Sequence, residues 1–70
     1  MIDIVVNGQP MPWGSDKDVK TLIIGTLNYP SDGGRFVVAL NGALLPIEKW
    51  PSTILNDGDI VDVLGAITGG

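Results

Sequence analysis

Neither cysteine nor histidine occurs anywhere in these 70 residues. The first absence excludes disulfides, thiol nucleophiles and thiolate metal sites, and the second removes the usual general base and the commonest metal ligand. Positive charge is scarce too. Four Lys and Arg stand against eight Asp and Glu, a formal net charge of −4, which argues against a nucleic-acid backbone or an anionic membrane as partner. No basic-then-apolar leader opens the chain, and no apolar run approaches the roughly 20 residues of a membrane helix. A soluble, cytoplasmic protein is expected. Apolar residues, at 44% of the chain, dominate what is present, and with 17% charged they describe a folded globule rather than a disordered segment. A chain of this length forms one small domain that buries only about 60% of its unfolded surface.

The elements follow from pattern and punctuation. Ile2-Asp3-Ile4-Val5-Val6 is a β-branched strand with Ile2, Ile4 and Val6 on one face. Asn7-Gly8 is a type I′ hairpin signal, and Gln9-Pro10-Met11-Pro12-Trp13 returns as an edge strand, since each proline lacks an N–H. Met11 and Trp13 share the face that caps the core. Asp18 is the expected helix N-cap, with Ser15 as the competing position. Val19, Leu22, Ile23, Thr26 and Leu27 then recur at helical spacing until Asn28-Tyr29-Pro30 ends the run. Gly25 and the β-branched Val19, Ile23 and Ile24 make this a poor helix in isolation, so packing on a sheet must hold it.

Ser31-Asp32-Gly33-Gly34 reads as a connection; with no lysine and no following helix, Gly33-Gly34 is not a phosphate loop. Phe36-Val37-Val38-Ala39-Leu40 is the most strand-like run, with Phe36, Val38 and Leu40 expected inside and Val37 and Ala39 outside. Asn41-Gly42 signals a second turn into Ala43-Leu44-Leu45, which Pro46 stops; Leu44 and Ile47 have no assigned face. Glu48-Lys49-Trp50-Pro51 reads as a short edge strand, with Trp50 as a lid on the core, and Ser52-Thr53-Ile54-Leu55 as a helical turn. Asp57-Gly58 turns into a final strand with Val61 and Val63 inward and Ile60, Asp62 and Leu64 outward. A hairpin, a helix crossing back by a right-handed connection to a neighbouring strand, and further strands make an α+β mixed sheet of four or five strands packed on one helix, the β-grasp. Residues 1–66 would form that domain and 67–70 a flexible Gly-Gly tail.

The series Val38-Ala39-Leu40-Asn41-Gly42, Pro46, Trp50, Leu55, Asn56-Asp57-Gly58-Asp59-Ile60-Val61 and the closing Gly69-Gly70 resembles the ThiS sulfur carriers of thiamine biosynthesis, which are relatives of ubiquitin and of the molybdopterin-synthase small subunit. The likeness spans nearly the whole chain. It implies that an E1-like, ThiF-type enzyme uses ATP to adenylate the Gly70 carboxylate, and that a persulfide-bearing desulfurase then converts it to a thiocarboxylate. An acceptor such as a ThiG-type thiazole synthase would take the sulfur. Gly70 would carry the chemistry, Gly69 would give clearance, and Ile67 and Thr68 would line the approach. The chain itself would be a protein co-substrate with no bound cofactor, no metal and no catalytic residues of its own. Two departures, Ile47 where many members carry Arg and Thr68 where an apolar residue is common, keep a carrier for molybdopterin or another thiolation pathway as the alternative. A ubiquitin-like modifier and a passive β-grasp interaction module are the other readings.

The outward residues Val37, Ala39, Ile60 and Leu64 together form an apolar surface of the kind that docks a partner. Asp59 and Asp62 are candidates to pair with a partner's Arg or Lys, Asp62 the better of the two because it points outward on the final strand. Asp57 is accounted for by turn chemistry, and Asp57-Gly58-Asp59 lacks the other ligands of a calcium loop. With no nucleophile-and-base cluster, the sequence does not describe an autonomous enzyme.

Overall fold

Ile2–Val6 (β1) and Gln9–Trp13 (β2) pair antiparallel, with Val6 opposite Gln9 across a two-residue loop. Asn7 (φ 51°) and Gly8 (φ 81°) both lie in the left-handed region, the geometry a type I′ turn requires. The same device recurs between Phe36–Leu40 (β3) and Ala43–Leu45 (β4), where Asn41 and Gly42 take φ of 52° and 87°. The final strand, Ile60–Gly65 (β5), pairs antiparallel with β3 and parallel with β1. The resulting sheet has the order β2-β1-β5-β3-β4 in this computed structural model, which describes residues 1–29 and 36–65. Ser31-Asp32-Gly33-Gly34 and residues 66–70 lie outside that description.

The α+β, β-grasp expectation holds, with one change in topology. The strand after the helix is not the neighbour of the hairpin, because β5 is inserted between β1 and β3. The physical reason lies in β5 itself. Val61 is fully buried and Val63 packs on the core, an apolar inward face that suits a central place between β1 and β3.

Asp18 caps the helix as its sequence position predicts. Its Oδ1 accepts from the Thr21 backbone N–H at 2.7 Å and from the Thr21 hydroxyl at 2.9 Å. Val19 and Lys20 start in α geometry, and Thr21–Thr26 then widens into a π-helix, closed by the Leu27 N–H on the Leu22 carbonyl at 2.9 Å. The wider turn shortens the buried stripe. Val19, Leu22 and Ile23 are buried and Leu27 is half-buried, whereas Thr26, expected in the stripe, is exposed. Asn28 ends the helix by entering the left-handed region (φ 62°), while the Tyr29 N–H reaches back to the Ile23 carbonyl at 3.0 Å.

These hydrogen bonds from Thr21, assisted by Lys20, hold the Asp18 carboxyl below its ordinary value of 3.8. A depressed carboxyl stabilises the fold above its unfolded pKa and loses that contribution as pH falls through the folded value. Replacing Asp18 with alanine is therefore expected to cost about 1 kcal/mol near neutral pH. The difference from wild type should shrink towards zero in urea titrations run progressively below pH 4. A constant difference at all pH values would contradict the capping role.

Two expectations fail between Pro46 and Leu55. Glu48-Lys49-Trp50-Pro51 is not an edge strand but part of a 3₁₀ helix, Ile47–Ser52, opened by the Lys49 N–H on the Pro46 carbonyl at 2.9 Å. The tight turn swings Trp50 inward until only 2% of it is exposed, and its Nε1–H donates to the Leu45 carbonyl at 3.0 Å. Ser52-Thr53-Ile54-Leu55 is correspondingly not a helical turn. Thr53 is extended (φ −106°, ψ 109°), its carbonyl accepts from Val19 N–H at 2.9 Å, and Ile54 bridges to Asp18. An extended backbone here anchors the helix start and buries Leu55, which a further turn would carry away from the core. Trp50 as core lid is right, and so is Trp13. The latter is 6% exposed, its Nε1–H donates to the Lys17 carbonyl at 3.3 Å, and the Lys17 ammonium sits 5.6 Å from its ring centre.

Candidate functional site

The two Asn-Gly turns do more than reverse the chain: their side chains grip the central strand from opposite edges. Where β1 ends, Asn7 N–H donates to the Val61 carbonyl at 2.9 Å, and Asn7 Oδ1 accepts from Val63 N–H at 2.8 Å. The amide oxygen thus fills the ladder position that a strand carbonyl would occupy, had the backbone not turned into the hairpin. On the other edge, Asn41 N–H donates to the Ile60 carbonyl at 2.7 Å, and Asn41 Oδ1 accepts from Ile60 N–H at 2.9 Å. Asparagine suits both demands, since it tolerates positive φ and carries a carbonyl acceptor two bonds beyond Cβ.

Acidic residues lock the entry to β5. Asp59 accepts from Asn41 Nδ2 at 3.0 Å and from the Asn56 N–H at 2.8 Å. Both of its oxygens are engaged, so Asp59 serves the fold and is withdrawn as a partner contact. Asp57 is structural as expected: its Oδ1 accepts from the Asp3 N–H at 2.9 Å, beside the turn at Gly58 (φ 86°). Residues that bind one another across 18 to 56 positions leave no local trace in the sequence, so the clamp is not legible there.

Replacing Asn7 with glycine keeps the turn geometry and removes only the side-chain bond. The expected cost is about 1 kcal/mol, with faster amide exchange confined to Val63 and its neighbours. Unchanged exchange at Val63 would show that the clamp does not hold the strand.

The outer sheet face is set by register. Val37 lies opposite Leu64, Ala39 opposite both Asp62 and Leu44, and Val5 opposite Ile60. Val37, Ile60 and Leu64 are 47%, 45% and 53% exposed, as expected for outward positions. Ala39 faces the same way but is buried at 7%: its short side chain is shielded by its neighbours on β4 and β5, so it floors the surface rather than offering contact. Sequence reasoning missed Leu44, at 69% the most exposed of the group, and the half-buried Val5. A signal for Leu44 existed. A two-residue turn at Asn41-Gly42 pairs Leu40 with Ala43 and thereby Ala39 with Leu44. Ile47 is 39% exposed at the start of the 3₁₀ helix. The other candidate residues, Ile67, Thr68, Gly69 and Gly70, lie outside the described residues.

A hairpin, a helix and a five-stranded mixed sheet with parallel β1 and β5 at its centre define a β-grasp protein of the ubiquitin-like class. The model of the ThiS family matches residues 4–70. The crystal structure of the thiamine biosynthesis protein ThiS from Geobacter metallireducens superposes with a TM-score of 0.77 at 30% identity, covering 99% of this chain and 100% of that one. A Porphyra purpurea protein, ycf40, described as uncharacterised, is 30% identical over 69 residues, 99% of this chain and 93% of its own length. The chain belongs to the ThiS family and is a ThiS-like sulfur carrier. Among the described residues no helix is long and apolar enough to cross a membrane.

Proposed function

We propose that the chain is a protein co-substrate whose Gly70 carboxylate is activated and thiolated, and that the sulfur passes to the thiazole of thiamine. The observation supporting this reading is that the family match runs through Gly70 itself. The strand leading there is braced on both edges, so the last residues start from a fixed base. In the first step a Gly70 carboxylate oxygen attacks the α-phosphorus of ATP, the α–β phosphoanhydride breaks, and pyrophosphate leaves. Carboxylate is a poor electrophile, whereas the acyl-adenylate carries a good leaving group. The terminal sulfur of a donor persulfide then attacks the acyl carbon and displaces AMP. A second thiol cleaves the resulting acyl disulfide, leaving the thiocarboxylate on Gly70 and a disulfide on the donor. A ThiF-type enzyme would catalyse the activation and a ThiG-type synthase would accept the sulfur. The outer sheet face, with Val37, Ile60 and Leu64 exposed around Ala39 and Asp62, is the docking surface for them.

The test is incubation with ATP and the E1-like enzyme of the same organism, read by pyrophosphate release and by a chain heavier by one adenylyl group. Release of pyrophosphate that does not depend on this chain, with its mass unchanged, would contradict the reading.

A further inference from the structure

We propose that Asp62 is the specificity-determining charge of the outer sheet face, and that the protein covering this face presents a cationic side chain to it. The inference rests on the carrier reading above and adds the chemistry of the partner. Along β5, Asp62 stands between Ile60 and Leu64, and across the strands it faces Ala39. Val5, Val37 and Leu44 complete the surroundings, so Asp62 is the one charged side chain among the paired outward residues of β3, β4 and β5. Asp3 also points outward but lies lower on β1, opposite Pro12 and below the start of β5. The fold employs its other nearby carboxylates, Asp57 and Asp59, in hydrogen bonds. Among the described residues none donates to the carboxylate of Asp62, which is half-buried.

Tail length limits how far from the end of β5 the activating enzyme can sit. Gly70 is only the fifth residue after Gly65, and a fully extended chain of that length spans at most about 18 Å. An enzyme that takes Gly70 into its active site therefore meets the protein close to Leu64 and Val37. Covering the apolar residues strips water from Asp62 as well. A carboxylate desolvated without a counter-charge opposes binding strongly, whereas one that meets Arg or Lys becomes a contact that rejects other partners. The net charge of −4 favours approach by a cationic surface in the same sense.

The experiment is isothermal titration of the E1-like activating enzyme of the same organism with the full chain, with Asp62→Asn and with Asp62→Leu, thermal melting confirming that each variant folds. Both substitutions are expected to weaken binding by about tenfold or more. The affinity of the wild-type chain should fall with added salt more steeply than that of Asp62→Leu. An apolar replacement that binds as tightly as the wild type, or more tightly, overturns the inference while leaving the carrier reading intact, because it would mean the carboxylate is buried without a cation. A wild-type chain that does not bind the enzyme at all overturns both.

Discussion

Replacing Trp50 with alanine is expected to remove about a third or more of the domain's stability and to lower its melting temperature sharply. A 70-residue domain holds about 4–10 kcal/mol of stability in total, and truncating a buried tryptophan removes about 3–5 kcal/mol of it. Three losses coincide at this position. The side chain is 2% exposed, so its removal opens a cavity under the 3₁₀ helix. The Leu45 carbonyl loses the indole N–H that satisfies it. Phe36, stacked at 5.8 Å on the Trp50 ring and itself 4.7 Å from Tyr29, loses one of its two aromatic neighbours. Trp50→Phe retains the stacking and sacrifices the hydrogen bond, so its cost should be smaller, about 1–2 kcal/mol. Urea denaturation followed by far-ultraviolet circular dichroism reads both. An alanine variant that melts within a few degrees of wild type would show that the 3₁₀ helix closes the core without this ring.

Deleting Gly70 is expected to have the opposite profile: complete loss of activation with no change in stability. Glycine has no side chain to contribute to a core, so the melting temperature should match wild type. The chemistry, by contrast, would lose the atoms it acts on. The new terminal carboxylate on Gly69 would sit one residue short, up to about 3.6 Å, and a misplacement of even 1 Å from the reacting geometry can cost on the order of a hundredfold in rate. Turnover of ATP by the activating enzyme in the presence of each chain is the measurement. Activation surviving the deletion would place the reactive group somewhere other than Gly70.

Much of this fold was legible in the sequence because its punctuation is local. Asn7-Gly8 and Asn41-Gly42 announce their turns through the positive φ that they tolerate. Asp18 announces the helix through an oxygen placed three residues before a free N–H. The alternation of Val61 and Val63 with Ile60, Asp62 and Leu64 shows which face of β5 is covered. What was not legible depends on residues far apart. The insertion of β5 between β1 and β3 brings Val5 beside Ile60, and no pattern within either strand specifies that pairing. Glu48-Lys49-Trp50-Pro51 misled because four residues between prolines show no clear period. Only the need to bury Trp50 against the core selects the 3₁₀ turn. Thr26 misled because the helix widens after Lys20, and a stripe drawn at α spacing no longer tracks the buried side.

The same distinction applies to the docking face. Val37, Ile60 and Leu64 could be placed by alternation alone, and they are exposed. Ala39 alternates correctly and is nevertheless buried, since exposure depends on the size of its neighbours as well as on direction. Asp59 and Asp62 look alike in the sequence, three residues apart. Only the position of Asn41 beside Asp59 separates a carboxylate used by the fold from one left for a partner.

The most direct measurement of the central claim is the intact mass of the protein recovered from its native host. The account predicts a species heavier by one oxygen-to-sulfur exchange, absent when Gly70 is deleted. If only the free carboxylate were found, even with the activating enzyme, ATP and a persulfide donor supplied, the carrier account would be contradicted.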